Sequence, residues 1–91
     1  MEIRKPEKVV TMEKTRMSIA TVYPNLLEAM RERDMSVKGL ASVLDISDQA
    51  MRRRLLGKAN GGSDFNVYEC HVLCDYFCVS FDWLFKTGDD A

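Results

Sequence analysis

The sequence predicts an all-α fold: a compact four- to five-helix bundle preceded by an N-terminal arm. Apolar residues recur at helical spacing in five short stretches after Tyr23. Each stretch is introduced by a residue suited to a helix start, namely Pro24, Ser36, Ser47, Asn66 and Ser80. No alternating strand pattern competes with these outside the arm.

Residues 1–22 are the arm. They mix charges with Val9, Val10, Met12, Met17, Ile19 and Val22 without a clean period, and Pro6 blocks regular structure early. Packing on the domain, or on a second copy, would have to order them. Residues 23–88 form the domain. Its first helix opens at Pro24, where a missing N–H costs nothing, and ends near Asp34. Leu26, Leu27, Met30 and Val22 share its inner side, opposite Glu28, Arg31, Glu32 and Arg33.

Ser36 caps the second helix, with Leu40, Ala41 and Leu44 inward. After the turn Asp45-Ile46-Ser47, Ser47 caps a third helix over about Asp48 to Leu56, which Gly57 closes in a left-handed conformation. Lys58 to Ser63 is a loop by composition. Asn66 caps a fourth helix to about Phe77, with Val67, Cys70, Leu73, Cys74 and Phe77 inward, and Ser80 caps a short last helix to Lys86.

Composition bounds the function. Ninety-one residues, 46% of them aliphatic, aromatic or cysteine, suffice for one small core and not for two. The apolar runs are too short to span a bilayer, and the charged start MEIRKPEKVV is unlike a secretory signal, so cytoplasmic residence is the expectation. Cys70, Cys74 and Cys78 are odd in number and helically spaced, which suits reduced thiols better than a disulfide framework.

A net charge of −1 hides an asymmetry. Residues 31–58 carry Arg31, Arg33, Lys38, Arg52, Arg53, Arg54 and Lys58 against Glu32, Asp34, Asp45 and Asp48. Residues 59–91 carry Lys86 alone against Asp64, Glu69, Asp75, Asp82, Asp89 and Asp90. A local basic patch of this kind is what phosphate contact requires.

That patch coincides with Met35–Lys58, two amphipathic helices on a tight turn, the layout of a helix-turn-helix whose second helix enters the DNA major groove. Ala41, which must be small where the helices approach, Asp45 in the turn and Ile46 between the helices form the scaffold, with Met51 and Leu55 facing the core. Gln49, Arg52, Arg53 and Leu56 then lie on the outer face, with Asp48 at its start. Gln49 can bond adenine bidentately, Arg52 or Arg53 can fork onto guanine, and Asp48 can accept from cytosine or pair with Arg52. Lys38, Arg54 and Lys58 suit phosphates.

Other chemistry finds less support. Cys70 and Cys74 share a helix side with Leu73 and Phe77, which reads as small core residues rather than zinc ligands, and His71 faces solvent. No Ser/His/Asp set or carboxylate pair stands out, and Gly61-Gly62 lacks the Lys-Ser/Thr of a phosphate loop. Neither an enzyme, nor a cofactor, nor a metal site is expected.

From Tyr23 onward the chain resembles the Cro/phage-repressor (XRE-like) helix-turn-helix family in its small prophage-encoded form. Four pieces carry the resemblance: Tyr23-Pro24-Asn25-Leu26, MSVKGLASVLDIS, Arg54-Leu55-Leu56-Gly57-Lys58 and DFNVYECHVLCDYFCVSFDWLF. Together they cover about residues 23–86. The resemblance implies a lambda-repressor-like DNA-binding domain, usually a homodimer on an inverted-repeat operator in double-stranded DNA, acting in transcription regulation. It places Asp48, Gln49 and Arg53 at base-reading positions, Arg52 beside them and Lys58 at the backbone. The chain departs from the pattern at Val37, where many members have a phosphate-binding Gln, at Asp48 in place of a frequent Gln, and in the longer loop Ala59-Asn60-Gly61-Gly62. The alternative is a protein-interaction module, an anti-repressor or toxin-system accessory, that retains the fold without DNA binding. The acidic C-terminal third, Asp48 and Val37 motivate it.

Overall fold

The computed structural model describes residues 9–14 and 17–87. They form a mostly helical globule of five α-helices and a two-stranded hairpin. The strands are β1 (Val10–Lys14) and β2 (Met17–Thr21), followed by α1 (Pro24–Glu32), α2 (Val37–Leu44), α3 (Asp48–Leu56), a 3₁₀ turn at Lys58–Asn60, α4 (Val67–Phe77) and α5 (Phe81–Leu84).

Part of the arm, in which the sequence shows no clean period, is a hairpin ordered by packing on the domain. β1 and β2 pair antiparallel with Val10 opposite Thr21 and Lys14 opposite Met17. Ile19 and Thr21, two apart in β2, are both buried, as the two-residue period of a strand requires. Each strand is only five residues long, and a lone hairpin is marginal in water. Here α3 holds it. Val22 N–H and the Thr21 hydroxyl both donate to the Leu55 carbonyl, at 3.0 and 2.9 Å.

Helix starts follow the sequence closely. Ser36 Oγ accepts the Gly39 N–H at 3.0 Å, Ser47 Oγ the Ala50 N–H at 3.0 Å, and Ser80 Oγ the Trp83 N–H at 3.2 Å. Each hydroxyl satisfies a donor that the first helical turn leaves open, worth about 1 kcal/mol. At α4 the cap is reciprocal: Asn66 Oδ1 accepts from Glu69 N, and Glu69 Oε1 accepts from Asn66 N.

Helix ends differ more. Gly57 has a positive φ of 82°, yet its ψ of 160° is extended rather than left-handed helical. The left-handed conformation occurs instead at Asp45, closing α2, and at Cys78, closing α4. α5 stops at Leu84, short of Lys86.

The core is built by Ile19, Leu26, Met30, Leu40, Met51, Leu55, Leu73 and Leu84, one or more from β2 and from every helix, all essentially inaccessible. Burying each such side chain contributes about 1.5–3 kcal/mol. Tyr23, Phe65, Phe81 and Phe85 form a chain of ring contacts with centroids 5.2–5.9 Å apart, and Asn25 Nδ2 donates to the Trp83 carbonyl at 2.8 Å. These contacts seat α5 against α1. One expected core position fails: Val67 is 74% exposed. At the first position of α4 it precedes the buried stripe, whose inward place in that turn belongs to Glu69.

Among the described residues, no helix is long and apolar enough to cross a membrane.

Candidate nucleic-acid interface

α3 presents two chemically opposed sides. Met51 and Leu55 are fully buried, whereas Asp48, Gln49, Arg52 and Arg53 are exposed. Positions 51 and 55 lie one turn apart on the inner side and 49 and 53 on the other, while Arg52 borders the inner side and Asp48 is exposed as the first residue of the helix. Leu56, expected outward, is half-buried.

The turn before α3 sets its direction. Asp45 adopts φ 58° and ψ 45°, a conformation that aspartate tolerates better than most L-residues. Ile46 N–H then donates to the Ala41 carbonyl at 3.1 Å, and Ile46 packs against the core. Ala41 itself is fully buried, and α2 and α3 lie in direct contact.

The far end of α3 is held with equal care. A helix leaves its last carbonyls without helical partners. Here the Arg53 carbonyl accepts Gly57 N–H and Ser63 N–H, the Leu55 carbonyl accepts Val22 N–H and the Thr21 hydroxyl, and the Leu56 carbonyl accepts Asn60 Nδ2. Thus the hairpin and the loop after α3 clasp its C-terminus from two sides. Gly62 allows the loop to lie that close, because a Cβ there would collide with the Arg53 carbonyl oxygen.

The cations divide into engaged and free. Arg31 pairs with Glu28 at 2.6 Å, and Arg33 lies over the rings of Tyr76 and Phe77 at 5.0 and 5.2 Å. Arg54, expected at phosphates, instead reaches α4: its Nε donates to Glu69 Oε1 at 2.8 Å and its Nη1 to the Ala50 carbonyl at 3.3 Å. By contrast, among the described residues the side chains of Gln49, Arg52, Arg53, Lys38 and Lys58 make no hydrogen bond or ion pair. Asp48 does not pair with Arg52 either. Lys38 and Lys58 flank α3, on α2 and just past Gly57, and both are exposed.

No protein-family model, curated protein or solved structure matches this chain. Val37 lies at the start of α2, where the resemblance would place a polar phosphate ligand, and it is buried in the core cluster. An amide side chain there would lose that packing.

The cysteines occupy three environments along α4. Cys70 is buried, Cys74 half-buried, and Cys78 exposed at the left-handed helix end. Burial pushes the Cys70 thiol above its ordinary range, with Cys74 and Glu69 adding to the effect. Burial does the same to Cys74, helped by Asp75. Leu73 and Phe77 are buried beside them and His71 is exposed. Among the described residues, no three His, Cys, Asp or Glu side chains converge to hold a metal ion.

Two long-range pairings of the site had no readable signal in sequence. Thr21 and Val22 lie in the arm, and only the folded chain brings them to Leu55. Glu69 was readable as half of a capping box, but its pairing with Arg54, fifteen residues earlier, was not.

Proposed function

We propose that the protein is a sequence-specific DNA-binding transcriptional regulator, with α2 and α3 acting as a helix-turn-helix and α3 lying in the major groove. The observation that carries this reading is the contrast among the cations. Arg31, Arg33 and Arg54 have intramolecular partners, whereas Arg52, Arg53, Lys38 and Lys58 have none among the described residues. A solvated face often carries charged residues; a rigid helix with forked donors all left open is a surface made for acceptors elsewhere.

In this reading Gln49 bonds an adenine edge and Arg52 and Arg53 bond guanine O6 and N7. Asp48 accepts from a cytosine amino group, and Lys38 and Lys58 bind the backbone on either side. Arg54 leaves the phosphate set, because Glu69 and Ala50 already take its donors. Its role is to hold α3 at a fixed angle to α4. The resemblance to Cro/phage-repressor proteins supports a prophage-type regulator that binds an inverted repeat as a homodimer. Exposed Phe81 and Trp83 offer apolar surface for the second copy.

The test is selection of bound oligonucleotides followed by gel shift at several salt concentrations. Arg52→Ala or Arg53→Ala should weaken the selected site by about 1–3 kcal/mol and relax preference at one base pair. Lys38→Ala and Lys58→Ala should weaken all sequences alike, each reducing the slope of log K against log salt by about 0.9. Equal affinity for every DNA, unchanged in the arginine variants, would sink the proposal.

A protein-interaction module is the second reading. It draws on exposed Val67, Tyr68, Phe81 and Trp83 on helices whose acids outnumber their bases. Salt-insensitive indifference to DNA, with a stoichiometric protein partner, would favour it.

A further inference from the structure

We propose that the groove between β2 and α3 binds an aliphatic carboxylate of short to medium chain length, with Arg52 as its counter-ion. The groove has a volume of about 290 Å³ and is lined by Ala20, Val37, Arg52, Leu55 and Leu56. Val37 and Leu55 are buried and belong to the core cluster, so the floor is fixed. Ala20 and Leu56 are half-buried and form the walls. The hairpin makes this space, since β2 is tied to α3 one residue beyond Ala20, at Thr21, through Leu55.

The chemistry of the lining selects the ligand. Of its described lining residues four are aliphatic, and the fifth is an exposed guanidinium with no hydrogen-bond or ion-pair partner among the described residues. A purely polar anion would leave the aliphatic walls unused, and a neutral hydrocarbon would leave the guanidinium unmatched. An alkyl carboxylate satisfies both, its two oxygens accepting the parallel donors of Arg52 while the chain lies along Val37, Leu55 and Leu56. The volume of about 290 Å³ lies just below the range of ligand pockets, which begins at about 300 Å³, so a short single chain fits and a bulky ring system does not. Resting on the DNA-binding reading, the consequence is regulatory: a carboxylate paired with Arg52 removes one base-reading side chain, so ligand and operator compete.

Titrating the full-length ¹⁵N-labelled protein with sodium octanoate, without DNA, tests the site itself. Octanoate should shift the Ala20, Val37 and Leu56 amides saturably, whereas acetate, lacking the chain, should not. Octylammonium, with the same chain and the opposite charge, should bind at least about tenfold more weakly, and Arg52→Gln should weaken octanoate by a similar factor. Ala20→Leu fills the groove and should abolish octanoate binding while leaving Arg52 free; if that variant does not fold, Leu56→Gln supplies the same comparison. Absence of saturable shifts, equal binding of octylammonium, or unchanged binding by a folded groove variant overturns the proposal. Gel shifts with and without octanoate separate the two readings. DNA binding insensitive to octanoate refutes the competition and leaves the DNA reading standing. Groove binding by a protein indifferent to DNA does the reverse.

Discussion

Arg54 Nε donates to Glu69 Oε1 at 2.8 Å, and the same carboxylate oxygen accepts the Asn66 N–H at 3.1 Å. One oxygen thus caps α4 and ties it to α3. It also sorts the triplet Arg52-Arg53-Arg54, drawing the third member inward while the first two stay exposed.

Arg54→Ala should therefore act on stability before it acts on DNA. Glu69 is only 5% exposed, so losing its cation leaves a desolvated carboxylate with a single backbone donor. A cost of about 2–3 kcal/mol in urea unfolding is expected. Arg52→Ala and Arg53→Ala, which break no hydrogen bond or ion pair among the described residues, should stay within about 0.5 kcal/mol of the parent. Equal destabilisation by all three would show that the Arg54–Glu69 bond contributes little.

The loop over the end of α3 yields a comparison of neighbouring glycines. Gly62→Ala puts a Cβ into backbone, the Arg53 and Gly57 carbonyl oxygens, neither of which can swing away. It should cost about 1–3 kcal/mol. Gly61→Ala meets nothing in space and suffers only from its positive φ of 83°, a cost of about 1 kcal/mol. Thermal unfolding should rank parent above Gly61→Ala above Gly62→Ala; the reverse order would mean that the loop does not seat on α3 as described.

Cys78 holds a left-handed conformation, φ 58° and ψ 47°, without the side chain that usually tolerates it. Cys78→Gly removes that strain at an exposed helix end and should raise stability by about 0.5–1 kcal/mol. A shift of a few degrees upward in the melting temperature is the expected reading. Destabilisation would show that the thiol contact to the Asp75 carbonyl at 3.6 Å matters more than the backbone.

The thiols should also separate by reactivity. Cys70 and Cys74 have thiols raised by burial and by nearby negative charge, so at neutral pH they stay protonated and slow to alkylate. Exposed Cys78 should react first with iodoacetamide, as mass spectrometry of the digest would show. The linkage has a definite sign. The folded state holds these protons more tightly than the unfolded state, so their contribution to stability is intact at neutral pH. It is lost as pH rises above the unfolded thiol value of about 8.5. Comparing the parent with Cys70→Ala and Cys74→Ala across that range isolates the effect; a parent no more sensitive to alkali than the variants would contradict it.

Local chemistry made much of the helical frame readable in the sequence. Ser36, Ser47, Asn66 and Ser80 cap where expected because a hydroxyl or amide before an apolar period satisfies open N–H groups whatever the rest of the chain does. Met51 and Leu55 face inward, and Gln49, Arg52 and Arg53 outward, because a single helix has only one period to obey. Long-range partners were not readable. Thr21 and Val22 became the cap of α3 through the carbonyl of Leu55, Arg54 was withdrawn by Glu69, and Val67 lost its place to that same glutamate. In each case a polar group had to find its complement across the fold, and burial left no water to serve instead. Sequence alone determined which faces α3 has; the tertiary structure decided which of its arginines remain free to meet a partner.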